Sequence, residues 1–145
     1  MTKILVIHGL GMNMRGKVQV ERFGPMTLSE YDLEIRKFAS DLGVVVDIFQ
    51  SNIEGEVVDR IFEAHGGEVD AALINPAGYT TGHPALAGAI GQVRFPTIEL
   101  HVSNPAAHGV ETDISAVCRG VITGCGVFGY YLGMKALLQI LGGDE

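Results

Sequence analysis

The residues best placed to do chemistry gather in one stretch, Thr97-Ile98-Glu99-Leu100-His101-Val102-Ser103-Asn104. Its first half is β-branched and apolar, which suits a strand inside a sheet. A histidine, a hydroxyl and an amide then arrive within four positions. In parallel α/β sheets, ligands sit beyond the carboxyl ends of the strands. His101 is therefore a candidate acid/base or ligand-binding residue. The competing reading is a core histidine satisfied by Glu99.

The rest of the chain supplies a frame for that tip. Lys3–Ile7 reads as a first strand, apolar on both faces as a central parallel strand should be, ending at His8-Gly9. Gly9 to Met26 carries neither a helical nor a strand period. It holds Arg15, Lys17, Arg22 and Phe23, and a loop this long in a compact domain is usually functional, often a lid. Thr27-Leu28-Ser29-Glu30 has the form of a capping box. Leu28, Tyr31, Ile35, Phe38, Ala39 and Leu42 then give a helix one apolar face, which Gly43 stops.

Val44–Phe49 is the second strand and Gln50-Ser51-Asn52 its polar end. Ile53–Ala64 is a helix with Val57, Val58, Ile61 and Phe62 turned inward. Ala71–Ile74 is the third strand, and its helix runs from Pro84 to about Gln92. Thr97–His101 is the fourth strand, Asn104–Asp113 a polar loop, Gly120–Thr123 the fifth strand and Val127–Leu141 the last helix. Gly129 and Gly133, four apart, permit that helix to pack closely. The alternation predicts an α/β fold: flavodoxin-like, three α/β/α layers, with a five-stranded parallel sheet of order 2-1-3-4-5, as one domain over 1–145.

Bulk properties narrow the function. A net charge of −7 argues against broad nucleic-acid binding, but allows a local basic site for a small anion. No apolar run approaches a membrane span, and Lys3–Ile7 is too short for a signal peptide, so a soluble cytoplasmic protein is expected. Cys118 and Cys125 read as reduced, buried thiols rather than a disulfide or redox pair. The glycines after the first strand do not make a dinucleotide G-x-G-x-x-G, and no nucleophile elbow, H-E-x-x-H or cysteine-rich zinc pattern occurs.

Several spaced motifs together resemble the type II 3-dehydroquinate dehydratases. They are Gln50-Ser51-Asn52-Ile53-Glu54-Gly55-Glu56, Ile74-Asn75-Pro76, Glu99-Leu100-His101-Val102-Ser103-Asn104, and Gly120-Val121-Ile122 through Gly124-x-Gly126-x-x-Gly129-Tyr130. They fall in one register over nearly the whole chain, with a shortened loop near residue 110. The resemblance implies a lyase of the shikimate or quinate pathways, using no metal or organic cofactor and assembling into trimers and dodecamers. Such enzymes remove a proton next to a ketone with a lid tyrosine, form an enolate, and protonate the departing hydroxyl with the histidine of the H-x-S-N strand end.

On that resemblance, His101 matches the general acid and Glu99 the carboxylate that orients it. Ser103, the Val102 backbone N–H and Asn75 match the clamp for the substrate carboxylate, and fixed N–H and O–H donors suit such a group. Asn13 matches the last asparagine of the family's N-G-P-N-L-N run, here His8-Gly9-Leu10-Gly11-Met12-Asn13. His108 stands in the segment that follows H-x-S-N, where the family has an arginine. Asn13 and His108 are thus further expected substrate contacts.

Other positions depart from the pattern. The lid tyrosine falls at Phe23, which has no proton to exchange. The lid arginine falls at Val18, the histidine after Tyr-Thr at Thr81, and the helix aspartate at Gly88. Loss of a general base typically costs a factor of about 10²–10⁴. Dehydration of 3-dehydroquinate is what the family implies, while Phe23 points to a changed substrate or reaction. Two alternatives stand beside it. One is a non-catalytic protein binding a small carboxylate. The other is a hydrolase with a metal-held water, if His8, His83 and His108 converge on His101. Arg15, Lys17 and Arg22 read either as lid cations meeting an anionic ligand or as a solvated basic loop.

Overall fold

A computed structural model describes residues 1–142. Five strands form one all-parallel sheet: β1 (Lys3–Leu10), β2 (Val45–Gln50), β3 (Ala71–Ala77), β4 (Thr97–His101) and β5 (Gly120–Thr123). Their order is β2-β1-β3-β4-β5, as expected from the sequence. The helices are α1 (Val20–Phe23), α2 (Leu28–Leu42), α3 (Glu54–His65), α4 (Pro84–Gln92) and α5 (Phe128–Gly142).

Strand alternation sorts the core into two layers. Ile4 and Val6 of β1 pack with Tyr31 and Ile35 of α2 and Met134 and Leu137 of α5. Leu5 and Ile7 face the other way, toward Val57 and Ile61 of α3 and Leu86 and Ile90 of α4. Each such aliphatic side chain contributes about 1.5–3 kcal/mol when buried. The capping box forms in full: Thr27 accepts from the Glu30 backbone, and the Glu30 carboxylate accepts from the Thr27 N–H. On α5, a Cβ at Gly133 would come within 2.6 Å of Leu73 Cδ1, and one at Gly129 within 3.0 Å of Leu100 Cδ1. That closeness seats the helix on the sheet.

The structure corrects several element boundaries. β1 runs three residues beyond Ile7, and β3 runs on through Asn75-Pro76-Ala77. The two tips pair, His8 with Asn75 and Leu10 with Ala77. Gly9 makes this possible, since a Cβ there would lie 2.0 Å from the Pro76 carbonyl oxygen. The segment after β1 is not structureless either. It holds a 3-10 turn at Met12–Met14 and the short α1. Pro105–His108 forms another 3-10 turn inside the polar loop after β4. Phe62 does not face inward but is 45% exposed, because α3 packs through Val57, Ile61 and Ala64. Both cysteines are free; Cys118 is half-buried, whereas Cys125 is exposed rather than buried.

Candidate active site

Glu99 and His101 are two apart on β4, so they share one face of the strand. Glu99 is wholly buried. Its Oε2 accepts the His101 Nε2–H at 2.5 Å and the Thr112 hydroxyl at 2.7 Å, and its Oε1 accepts the Ser115 hydroxyl at 2.6 Å. Burial pushes the Glu99 carboxyl upward, but these hydrogen bonds outweigh it and hold the group below its ordinary value. Glu99 is thus kept ionised. It fixes His101 with Nε2 toward the carboxylate, leaving Nδ1 to serve the cavity beyond the strand end. Thr112 and Ser115 were missed from sequence. They lie 13 and 16 residues from Glu99, and no local signal connects hydroxyls at that distance to a strand carboxylate.

That cavity, of about 440 Å³, lies between the strand tips and the segment from Gly11 to Phe23. His101, Val102, Ser103 and Asn75 line the side made by the sheet. Arg15, Arg22 and Phe23 line the side made by the lid. Asn75 is oriented by its neighbours: its Oδ1 accepts the Ala77 N–H, and its Nδ2 donates to the Tyr130 hydroxyl. One amide hydrogen of Asn75 is left for a ligand. Two non-glycine residues among those described have positive φ, Gln19 at 50° and Ala77 at 49°, and both line this cavity. Backbone held in that region costs about 1–3 kcal/mol and clusters at functional sites.

Not every expected contact reaches the cavity. Glu99 sits behind His101 rather than on the wall. Lys17 and His108 are exposed and away from it. Asn13 is also off the wall; it accepts from Asn52 Nδ2, while Asn52 Oδ1 accepts the Gly11 N–H. These bonds tie the start of the lid to the end of β2. Tyr79 is buried, donates to the Ser51 carbonyl, and does not line the cavity. Thr80, Thr81 and Val18 do line it, so three of the positions that differ from the family pattern, counting Phe23, face the same space.

The histidines do not converge. His8 is buried and pairs with Asp32 through Nε2 at 2.8 Å. His83 bonds the Thr81 carbonyl and meets Tyr79 edge-on. Among the described residues no group of three or more His, Cys, Asp or Glu side chains could hold a metal ion. The histidine-edge metal site expected as an alternative is therefore not formed. His8 is committed to Asp32 of α2, His83 to the Thr81 carbonyl and His101 to Glu99.

The parallel 2-1-3-4-5 sheet with helices on both faces, carrying a histidine–carboxylate pair at one strand tip, places the chain among flavodoxin-like α/β proteins. The relatives make the assignment narrower. The model of the family "Dehydroquinase class II" matches residues 2–138. A 3-dehydroquinate dehydratase of Sulfurimonas denitrificans is 40% identical over 142 residues, covering 96% of this chain and 88% of that one. One from Campylobacter jejuni is 42% identical over 141 residues, covering 95% and 88%. Among solved structures, a type II dehydroquinase from Butyrivibrio crossotus superposes with a TM-score of 0.88 at 31% identity, covering 94% of this chain and 97% of that one. A 3-dehydroquinate dehydratase-like protein from Bifidobacterium longum gives 0.75 at 29%, covering 98% and 99%. The chain belongs to the class II dehydroquinase family.

Proposed function

We propose that the protein is a hydro-lyase that removes water from a small, cyclic, carboxylated hydroxyketone, with 3-dehydroquinate as the family's substrate and a base step altered at Phe23. The observation that carries this reading is the Glu99–His101 pair sharing one cavity with Ser103, the Val102 N–H and Asn75. The donors hold the carboxylate and set the ring. A proton leaves the carbon beside the ketone for solvent water in the cavity, its electron pair forms the enolate, and the enolate collapses to the conjugated double bond. The carbon–oxygen bond breaks, and His101 gives its proton to the departing hydroxyl, which leaves as water. Glu99 stabilises the imidazolium before that transfer and holds the ring afterwards. The reaction balances without a cofactor.

Phe23 supports the altered base step. The ionisable side chains on the cavity wall are Arg15, Arg22 and His101, and no tyrosine is among them. The same observation favours the second reading, a non-catalytic carboxylate-binding homologue. Incubation with 3-dehydroquinate, followed by enone absorbance, separates them. Slow turnover that His101→Ala abolishes supports the lyase. Binding without turnover, lost in Ser103→Ala, supports the second reading. Turnover at ordinary enzyme rates would sink the claim that Phe23 disables the usual base step.

We also take residues 1–145 as one unit that acts in the cytoplasm as a trimer or dodecamer. No described helix is long and apolar enough to cross a membrane. Ile53 and Phe62, both exposed on and beside α3, are consistent with a surface that another subunit covers.

A further inference from the structure

Arg15 is the most unusual residue on the cavity wall. It is only 6% exposed, and its Nη1 is buried with no hydrogen-bond partner. Its guanidinium stacks over the Phe23 ring, 3.8 Å from the centroid, and its other near neighbours are the Tyr31 and Tyr130 hydroxyls and the like-charged Arg22 guanidinium. No carboxylate pairs with it or with Arg22 among the described residues, and no Asp or Glu lines the cavity. This is a concentrated positive site in a chain of net charge −7.

A buried cation without a counter-charge is costly, because it has given up water and gained no anion. Burial accordingly lowers the proton affinity of Arg15. An apolar side chain would fill the same space more cheaply. A ligand that supplies the missing negative charge removes the imbalance, and the cavity is where it can enter. Ser103, Val102 and Asn75, the donors read above as holding the carboxylate, line the same cavity from the strand tips.

We propose that Arg15 is the counter-charge for a second anionic oxygen of the ligand, at the lid end of the cavity and separate from the carboxylate held at Ser103. Two sources share this chemistry. One is a permanent second anionic group on the ligand. The other is the oxyanion that develops on a ketone as the adjacent proton leaves. The inference rests on the cavity reading above, and it names what the lid side recognises.

The test compares wild type, Arg15→Leu, Arg15→Lys and Ser103→Ala, using calorimetric titration with benzoate and isophthalate and turnover of 3-dehydroquinate. A permanent anion site predicts that wild type binds isophthalate at least about tenfold more tightly than benzoate, a preference that Arg15→Leu loses and Arg15→Lys partly keeps. An oxyanion site predicts no such preference, but a fall in kcat of about tenfold or more in Arg15→Leu at unchanged KM. Either result supports the proposal. In both cases the ligand-free Arg15→Leu protein unfolds at a higher temperature than wild type, because an unpaired buried charge has been removed. Unchanged binding and turnover in Arg15→Leu, with a lower unfolding temperature, would overturn the proposal and leave Arg15 as a prop for Phe23. If Ser103→Ala binds benzoate as wild type does, the cavity reading fails instead, a result distinct from the failure of Arg15.

Discussion

His101 does not act alone; its behaviour is set by Glu99, and Glu99 by two hydroxyls from the loop after β4. Replacing Glu99 with Gln keeps the shape and removes the charge that stabilises a protonated imidazole. Turnover of 3-dehydroquinate should fall by about 10²-fold or more, read from steady-state rates. The same group gives a pH signature. Its folded proton affinity lies below the ordinary carboxyl value of 4.5. Its contribution to stability is therefore present above that value and is lost as pH falls through the lower, folded one. Urea unfolding from neutral pH downward should show wild type losing part of its stability in that acidic window, and Glu99→Gln losing less. On the lid, Phe23→Tyr restores an ionisable phenol to the cavity wall. If the base step is what has been lost, kcat for 3-dehydroquinate should rise by about 10²–10⁴. No gain in the variant would place the divergence elsewhere.

The elements deliver these side chains through strand tips that run further than their apolar cores. β1 and β3 stay paired to Leu10 and Ala77, which carries Asn75 to the cavity edge. That pairing depends on Gly9, whose missing Cβ leaves room for the Pro76 carbonyl. Gly9→Ala meets backbone rather than a flexible side chain, so it should destabilise by about 1–3 kcal/mol or more, read as a lower midpoint in urea. It should also weaken carboxylate binding, since Asn75 moves with β3. Gly133→Ala meets only the end of the Leu73 side chain, 2.6 Å away, which can turn aside; its cost should be the smaller of the two. The helix boundaries were legible in sequence because their signals are local. Thr27 and Glu30 cap α2 within one turn, and Pro84 opens α4. Strand ends were less legible. A polar residue such as His8 or Asn75 looks like a loop in sequence, yet it can remain in a ladder when its partner strand extends alongside.

For the whole molecule, the two-sided core and the site follow from one arrangement. The central strands are apolar on both faces, so helices must cover both, and the crossings bring every strand's carboxyl end to one edge. Light scattering should give a mass that is a multiple of the monomer if the exposed Ile53 and Phe62 are covered by another subunit, and charge at Phe62 should shift that mass downward. Sequence alone determined the order of elements, the parallel sheet, the family resemblance and the grouping of His101 and Ser103 at a strand tip. The elements, the sheet and the strand-tip grouping follow from periodicity, capping and spacing, which are properties of neighbours along the chain, and the resemblance rests on motifs matched residue by residue. Only the tertiary structure decided that His8 pairs with Asp32 instead of joining a metal site. It alone set Thr112 and Ser115 behind Glu99, and left Arg15 buried over Phe23 without a carboxylate partner among the described residues. Charge pairing and desolvation depend on which groups meet across space, and residues far apart in sequence meet only once the sheet has closed and the lid has folded over its edge.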